Sequence, residues 1–404
     1  MGKFWLFVAV GMVLAGAPLG SAPLLMAGSL ILVLAAVSNL WTKYSLARVE
    51  YHHSLSSYRA FTGEDVLFST RLTNKKFLPL PWIQVNDEIP KEVRPIQGRI
   101  APAPYPGRIA LTSLLSMGWY HRVTRTYTLR CEHRGVFYLG PVRIRSGDLF
   151  GMSSTEMRIE HDLLLTVYPR VLPLVESRLP SWEPYGNVRV RRTLIDDVTR
   201  PVGSRDYVVG DSLRYVHWKS TARLGRLQTR VFDASTTANF VLFFGVRTMD
   251  PPLQGTIPQL LEMGVLATAA LANYALEKGY PVGVYVNQTS RLTSHFLQVH
   301  PARHSEQLTR ILEVLAQVHP EDSISLASLI LEQSRNLPWG TTIMVVTAIP
   351  DAATLNVLGR LRRAGWGVSL VHIGGPAGNV AGGIPTYTVS DAVDWRQVQE
   401  VALQ

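Results

Sequence analysis

Residues 205–223 bring together side chains that can bind an anion or a partner protein. The segment reads RDYVVGDSLRYVHWKSTAR. Asp211 and Arg214 lie three positions apart, a spacing that joins two side chains in a turn or helix. His217 adds a titratable ring, and Trp218 adds a large surface for stacking. The sequence therefore predicts an anion-binding or partner-docking surface. Its positive charges are those of Arg205, Arg214, Lys219 and Arg223.

The wider segment around this surface is strongly basic. Residues 178–230 contain 11 basic and 5 acidic residues, a net charge of +6, where the whole chain has 40 basic and 30 acidic residues and a net charge of +10. Such an excess suits an acidic partner or an anionic membrane surface. A structural interpretation stays open, in which Asp211 holds a linker in place by pairing with Arg205 or Arg214, and Trp218 fills a gap in the next domain. No common nucleic-acid motif is visible, so nucleic acid is not an expected partner.

Other candidate catalytic groups in the sequence are weak. Cys131 and His133 would share one face of a strand, but no supporting acid is identifiable, and we interpret Cys131 as a passive residue. It is the only cysteine, which excludes a disulfide framework and an all-cysteine metal site. The glycine-rich residues 374–378 lack the residue order of a phosphate-binding loop. No ATPase motif is present, and we expect no cofactor.

The N-terminal segment predicts a membrane anchor. Residues 4–41 contain no charged residue, and across the whole chain 47% of residues are hydrophobic but only 17% charged. Two prolines and a glycine between Ala17 and Pro23 interrupt this apolar run. Two short helices, about Phe4–Leu19 and Pro23–Leu40, would form a hairpin that crosses the ~30 Å hydrocarbon core of the lipid bilayer twice.

The charges that flank the predicted hairpin indicate its orientation. Lys3 precedes the first helix, and Lys43 and Arg48 follow the second. Positive charge on both flanks favours both ends inside the cell. We therefore expect a multi-pass protein of the cell membrane with its soluble domains in the cytoplasm. The alternative is a signal peptide that ends near Ala22, with the second helix as a lone anchor and the rest outside the cell.

The rest of the chain divides into three regions. Residues 46–178 contain short strand-like runs between turn-forming residues, which predicts an all-β, sandwich-like domain. Residues 179–236 lack a clean period and are expected to form an irregular basic linker, with a short helix near residues 216–223. Residues 237–404 alternate apolar strands with amphipathic helices, which predicts a doubly wound α/β domain. With the transmembrane hairpin of residues 1–45, the predicted architecture is a membrane-anchored multidomain protein.

Residues 205–223 also resemble the signature of the bacterial family known as domain of unknown function 58. The matching residues are Arg205, Tyr207, Gly210, Asp211, Arg214, Trp218, Ala222 and Arg223. The layout of a membrane hairpin, a β-rich region and an α/β domain is similar to that family as well. Predicted motif or partner-binding residues are Arg205, Tyr207, Gly210, Asp211, Arg214, His217, Trp218, Lys219 and Arg223.

The resemblance implies a von Willebrand A-like fold for residues 237–404. Many such domains bind Mg²⁺ through an Asp-x-Ser-x-Ser motif after the first strand. Here Gly245 and Arg247 hold the first and third of those positions, and the arginine cation would repel a metal. A further acid expected after a later strand is replaced by Thr347. The Asp-x-Ser-x-Thr run at residues 233–237 precedes the strand. We therefore expect no metal site.

The resemblance also implies a partner. Such proteins are often encoded beside AAA+ ATPases of the MoxR type, and the family has no established enzymatic activity. We therefore expect a non-enzymatic, membrane-anchored scaffold or adaptor for such an ATPase, docked by the basic linker and the upper rim of the α/β sheet. Two other classes stay open, a metal-dependent binding module and an envelope-associated enzyme built around Asp211 and His217. The sequence predicts no oligomeric state.

Overall fold

The computed structural model describes residues 2–151, 153–160, 163–175, 201–208, 211–232, 239–250, 255–338, 340–374 and 383–403. These residues form two compact units, Met1–Arg170 and Val171–Gln404. The predicted domain boundaries at residues 178 and 236, and most of the predicted linker before residue 201, lie outside the described residues.

Two apolar helices begin the first unit. Helix α1 spans Gly2–Gly16 and helix α2 spans Ala22–Ser45. A Cβ atom at Gly28 would lie 2.8 Å from Val13 Cγ2, so glycine allows the two helices to pack closely. Among the described helices, α2 is the one that is long and apolar enough to cross a membrane. It extends past the predicted end at Leu40, because its last turns pack on the strands that follow.

Short strands make up the rest of the first unit. They are β1 Val49–Leu55, β2 Arg59–Phe61, β3 Asp65–Asn74, β4 Leu80–Pro90, β5 Val93–Pro95, β6 Arg99–Pro102, β7 Arg108–Met117, β8 Arg122–Cys131, β9 Gly135–Leu139, β10 Val142–Gly147, β11 Ser154–Ile159 and β12 Leu163–Tyr168. They form sheets with the orders β1-β3-β8-β5, β11-β10-β4-β7-β6 and β2-β12-β9. Side chains of the first two sheets pack against each other in one buried cluster that includes Tyr51, Leu72, Ile83 and Ile144. This region is therefore β-rich, with face-to-face sheets as the alternating pattern predicts.

The second unit combines a β-hairpin with a larger sheet. Its strands are β13 Leu174–Val175, β14 Pro201–Asp206, β15 Gln228–Phe232, β16 Phe240–Gly245, β17 Val282–Thr289, β18 Phe296–Ala302, β19 Thr342–Thr347, β20 Gly367–Ile373, β21 Thr386–Val389 and β22 Val401–Ala402. Its helices are α3 Trp218–Leu224, α4 Pro258–Glu277, α5 Gln307–Ala316, α6 Leu326–Ser334 and α7 Ala352–Arg363. The large sheet has the order β18-β17-β16-β19-β20-β21, and only β18 is antiparallel to its neighbour.

Helices cover both faces of this sheet. Successive residues of a strand point to opposite faces. On β16, Val241 and Phe243 belong to the apolar cluster formed with α6 and α7. Phe244 instead lies beneath Gly264 of α4, where a Cβ atom would come within 2.6 Å of its ring. The sheet is thus wound on both sides, as predicted, and the carboxyl ends of its parallel strands meet at one edge.

The structure also differs from the predicted elements. Within the predicted irregular linker, β14 and β15 pair as an antiparallel hairpin. The edge strands β18 and β21 were not predicted either. All four are polar or interrupted by proline, so they lack the continuous apolar runs that mark β16, β19 and β20.

Candidate functional site

The signature residues lie on a β-hairpin whose two strands are connected by a helical segment. Strands β14 and β15 pair from Pro201–Phe232 to Asp206–Gln228. Between them the chain forms a 3-10 turn over Leu213–Tyr215 and then helix α3. The His217 amide donates to the carbonyl of Gln228, which ties the start of α3 to β15. We call residues 201–232 the signature hairpin; the predicted site residue Gly210 lies outside its described residues.

Asp211 organises this hairpin. Its Oδ1 accepts a hydrogen bond from Arg205 Nη2 at 2.7 Å, and its Oδ2 accepts from the Val208 amide at 3.1 Å and from Thr229 Oγ1 at 3.2 Å. The Arg205 hydrogen bond is the main reason that the pKa of Asp211 is lowered, and the Val208 amide adds to it. Tyr207 also donates its hydroxyl to the backbone carbonyl of Asp211. The pairing left open by the sequence is therefore made with Arg205.

His217 has a structural role. Its Nδ1 accepts a hydrogen bond from the Ser220 amide at 3.1 Å and so caps the first turn of α3. This nitrogen and the Asp211 carboxylate both accept hydrogen bonds from groups within the hairpin, so both side chains help to hold its backbone.

Two residues that the sequence analysis missed support the helical segment. Thr221 Oγ1 accepts from the Gln228 amide at 3.0 Å, and the buried Gln228 side chain donates to Asp206 Oδ1 at 2.5 Å. Both partners lie several residues away in the chain, so no short-range spacing could reveal them. The available signal in the sequence was Gln228 itself, a polar residue at the start of β15.

Large apolar side chains are exposed on the helical segment. Trp218 is 67% exposed, so the interpretation that it fills a gap in the α/β domain is wrong. The other exposed apolar side chains here are Val208, Leu213, Leu224 and Leu227. The cations Arg214, Lys219 and Arg223 are exposed among them. Lys219 and Arg223 are four residues apart on α3 and therefore share a side of the helix. We call residues 211–227 the docking segment.

The carboxyl edge of the large sheet forms a second candidate site. A small cleft, open to solvent, is lined there by Gly245, Arg247, Asn287, Asp322, Ser325, Leu326, Thr347, Ile349, Asp351 and Thr354. Arg247 Nη2 lies 3.7 Å from Asp322 Oδ2, so a guanidinium occupies the place where a cation would bind. Asp351 is already engaged as the cap of α7. Within the described ranges no three acids, histidines or cysteines gather to hold a metal, and these residues do not fit one.

Of the remaining sequence candidates, the structure describes Cys131. Cys131 is fully buried, and burial raises the pKa of its thiol to about 12, so it holds little reactive thiolate at neutral pH. The Asp-x-Ser-x-Thr run at 233–237 and the glycine-rich residues 375–378 lie outside the described residues.

Comparison with known proteins points to one family. Residues 203–369 match the family model described as protein of unknown function DUF58. The uncharacterized protein YeaD of Bacillus subtilis is 23% identical over 251 residues, which is 61% of this chain and 58% of that protein. The match thus leaves about two fifths of the relative's length without a counterpart here.

Solved structures resemble the chain only in part. A cohesin module from Clostridium perfringens is 10% identical with a TM-score of 0.19, covering 30% of this chain and 98% of that module. The sporulation control protein Spo0M from Bacillus subtilis, also 10% identical, covers 30% of this chain and 49% of its own with a TM-score of 0.17. Scores this low carry no argument about fold or function. The match over residues 203–369 includes every described signature residue from Arg205 to Arg223, and on that basis this part of the chain belongs to the DUF58 family.

Proposed function

We propose that this protein is a non-enzymatic, membrane-anchored scaffold that binds a partner protein through the docking segment. The observation that carries the proposal is the exposure of Trp218 beside Lys219 and Arg223 on a segment whose backbone is held rigid by Asp211 and His217. Exposed tryptophan and arginine side chains are the residue types that dominate binding energy at protein interfaces. A fixed backbone also lowers the entropy lost on binding.

The anchor in this proposal is the pair of N-terminal helices. Helix α2 is long and apolar enough to span a membrane, and α1 packs on it through Gly28. A hairpin that crosses twice, with Lys43 and Arg48 on its inner flank, supports a multi-pass membrane protein with a cytoplasmic body. Both crossings and the orientation are part of the proposal.

The α/β domain supports a binding role without a metal. Its doubly wound sheet, with a cleft at the carboxyl edge of the parallel strands, is consistent with the von Willebrand A-like fold that the family resemblance implies. Arg247 and Asp322 face each other in that cleft. The upper rim of the sheet would therefore contribute polar and charged contacts, and divalent cations would add nothing to binding.

The partner follows from the family resemblance. An AAA+ ATPase of the MoxR type, docked at the cytoplasmic face, is the partner that we propose. The cationic excess of residues 178–230 suits an acidic surface on such a partner. No role in nucleic-acid binding is proposed.

The proposal is tested by cross-linked co-purification of the full chain from native membranes. Trp218→Ala should lower recovery of the ATPase by about 30-fold, the loss expected for one interface hot spot. Arg214→Glu/Lys219→Glu should also lower recovery and make the remaining binding less sensitive to salt. The matched control is Arg360→Glu/Arg363→Glu, which reverses two exposed charges on α7 and should leave recovery unchanged. Equal recovery with Trp218→Ala and wild type would contradict the proposed surface, and absence of any ATPase would remove the proposed partner.

A further inference from the structure

The end of α2 is clamped by loops of the β-rich region. Lys76 donates its ammonium group to the carbonyl oxygens of Ser45 at 2.6 Å and Ala47 at 2.9 Å. Thr42 Oγ1 donates to the carbonyl of Ser153 at 3.4 Å. These bonds place the loops of residues 75–79 and 148–153 beside the last turn of α2. Any membrane that α2 enters must therefore have its surface close to these loops.

A third loop, residues 118–121, joins the same region. The Tyr120 amide donates to the carbonyl of Lys76, and Asn74 Nδ2 donates to the carbonyl of Gly118 at 2.8 Å. The structure thus gathers three loops around the helix end. We call residues 75–79, 118–121 and 148–151 the helix-end loops.

The helix-end loops expose large aromatic and apolar side chains. Phe77 and Trp119 stack with ring centroids 5.1 Å apart and an interplanar angle of 5°, yet they are 70% and 59% exposed. Tyr120, Leu149 and Phe150 are exposed as well. Water-facing clusters of this kind are unfavourable unless another apolar surface covers them.

The backbone holds these side chains outward. The buried Asp148 accepts hydrogen bonds from the amides of Phe150 and Ser153, and the Trp82 indole donates to the Asp148 carbonyl. The loop that carries Leu149 and Phe150 is therefore built into a fixed shape. These hydrogen bonds fix the backbone from which the exposed Leu149 and Phe150 side chains project.

The charges of this region also suit a lipid surface. Asp148 is the only acidic residue in the sequence of the helix-end loops, and it is buried. Lys43 and Arg48, at the end of α2 and just beyond it, are exposed. Exposed cations beside a membrane helix attract anionic headgroups, and tryptophan and tyrosine side chains favour the membrane–water interface.

We propose that the helix-end loops lie in the headgroup layer of the bilayer, so that Phe77, Trp119, Tyr120, Leu149 and Phe150 form a second membrane contact beside α2. The inference rests on the membrane anchoring in the proposed function. The lipid bilayer is favoured over a second copy of the chain because the loops are hydrogen-bonded to the end of α2, the helix that is long and apolar enough to cross a membrane, and because exposed cations flank that end.

The test is lipid quenching of a fluorescent label on the full chain. Trp119→Cys is labelled with an environment-sensitive nitrobenzoxadiazole maleimide and reconstituted into vesicles of phosphatidylcholine with a minority of phosphatidylglycerol. Part of the phosphatidylcholine carries a doxyl quencher near the headgroup. Background labelling of the native Cys131 is low, because this residue is buried and the pKa of its thiol is raised.

Tyr58→Cys provides the matched control. Tyr58 is an exposed aromatic residue just beyond the far end of β1, and β1 runs away from α2 over about 20 Å at 3.3 Å per residue. We expect quenching at position 119 to be roughly fivefold stronger than at position 58, because headgroup-layer residues lie within reach of the doxyl group. Leu149→Cys repeats the measurement on the second loop and guards against a local effect of the Trp119 substitution.

Each outcome bears on one of the two proposals. If the chain floats with the vesicles but positions 119 and 149 are quenched as weakly as position 58, the lipid contact is wrong and the anchor stands. If the chain does not float with vesicles, the proposed anchoring is wrong and this inference with it. If the label at position 119 is instead shielded in detergent in proportion to protein concentration, a second copy covers the cluster and the lipid contact is overturned.

Discussion

The two units bury polar side chains of different kinds. In the β-rich unit, the adjacent carboxyl groups of Asp87 and Glu88 are 2% and 1% exposed. In the α/β domain, three deeply buried polar side chains, Asn287, Gln288 and Gln307, are amides, which do not titrate, and the buried residues described there include no carboxyl group. Buried carboxyl groups can gain or lose a proton as pH changes, whereas buried amides cannot.

The two carboxyl groups of β4 have different surroundings. Neighbouring residues of a strand point to opposite faces, so Asp87 faces the sandwich interior and Glu88 the other side. Tyr51 donates its hydroxyl to Asp87, but burial is the stronger influence and raises the pKa of Asp87 to about 7. Glu88 instead accepts from Arg143 at 2.7 Å and lies 3.8 Å from Arg108. The pKa of Asp87 is thus raised toward neutral pH, whereas the negative charge of Glu88 is compensated by two arginine side chains.

The amides of the α/β sheet are saturated by the backbone. Asn287 Oδ1 accepts from the Val246 amide at 3.0 Å, and its Nδ2 donates to the Ile324 carbonyl at 3.1 Å. Gln307 Nε2 donates to the carbonyls of Val282 and His300. The Asn287 bonds join β17 to the end of β16 and to the loop before α6, and the Gln307 bonds join α5 to β17 and β18. We therefore expect pH to affect the stability of the β-rich unit far more than that of the α/β sheet.

The largest expected effect tests this difference at Asp87. Its pKa is about 7 in the folded chain and 3.8 as the ordinary value, so the folded state binds the extra proton between these limits. The resulting stabilisation is fully present below pH ~4 and is lost as pH rises through ~7, an amount of about 4 kcal/mol at most. Asp87→Asn should remove this pH dependence, measured by hydrogen exchange of β4 peptides in urea. An unchanged pH profile in Asp87→Asn would break the comparison.

A smaller, pH-independent effect is expected at Asn287. Asn287→Leu keeps the side-chain size but leaves the Val246 amide and the Ile324 carbonyl without this partner. Two unsatisfied buried groups should cost about 2–4 kcal/mol in the free energy of unfolding of the sheet, equally at pH 5 and pH 8. Hydrogen exchange of peptides from β16 and β17 measures this loss. Asn273→Leu, at a half-buried position on α4 whose amide donates to the Glu277 side chain, is the control and should change little. A loss at Asn287 that varied with pH would mean that the sheet also contains a proton-linked group.

The smallest expected effect reverses the sign of the pH dependence within the second unit. The pKa of Asp211 is lowered by Arg205 and the Val208 amide, so the contribution of this carboxylate is present above its ordinary pKa and lost as pH falls through the lowered value. Asp211→Asn should lower the protection factor of the Val208 amide at neutral pH, and acid should lower this protection factor in the wild type. The exposed Asp250→Asn serves as the control. Equal protection of Val208 in wild type and Asp211→Asn would show that the carboxylate does not hold the hairpin.

Sequence reasoning was strongest where burial alone selects the residue type. The apolar runs of β16, β19 and β20 and the length of α2 predict their elements without any knowledge of partners. The Asp211–Arg205 pair was among the alternatives, but choosing it required the hairpin pairing of β14 with β15, which brings Thr229 to the same carboxylate. The interpretation of Trp218 failed because a tryptophan in a family signature has no sequence mark that separates a buried ring from a displayed one. Asp322 beside Arg247 was out of reach for the same reason, since about 75 residues separate them in the chain.

The Lys76 contacts have a mechanical consequence. Only Leu46, Ala47 and Arg48 separate α2 from β1, and Lys76 fastens this short joint on the helix side and at Ala47. The β-rich region and the end of α2 therefore move together, because no flexible linker separates them. Because helix tilt adjusts to bilayer thickness, a thicker or thinner membrane would turn the whole β-rich unit relative to the membrane plane. With the proposed anchoring, lipid composition therefore sets the angle at which the β-rich unit is held.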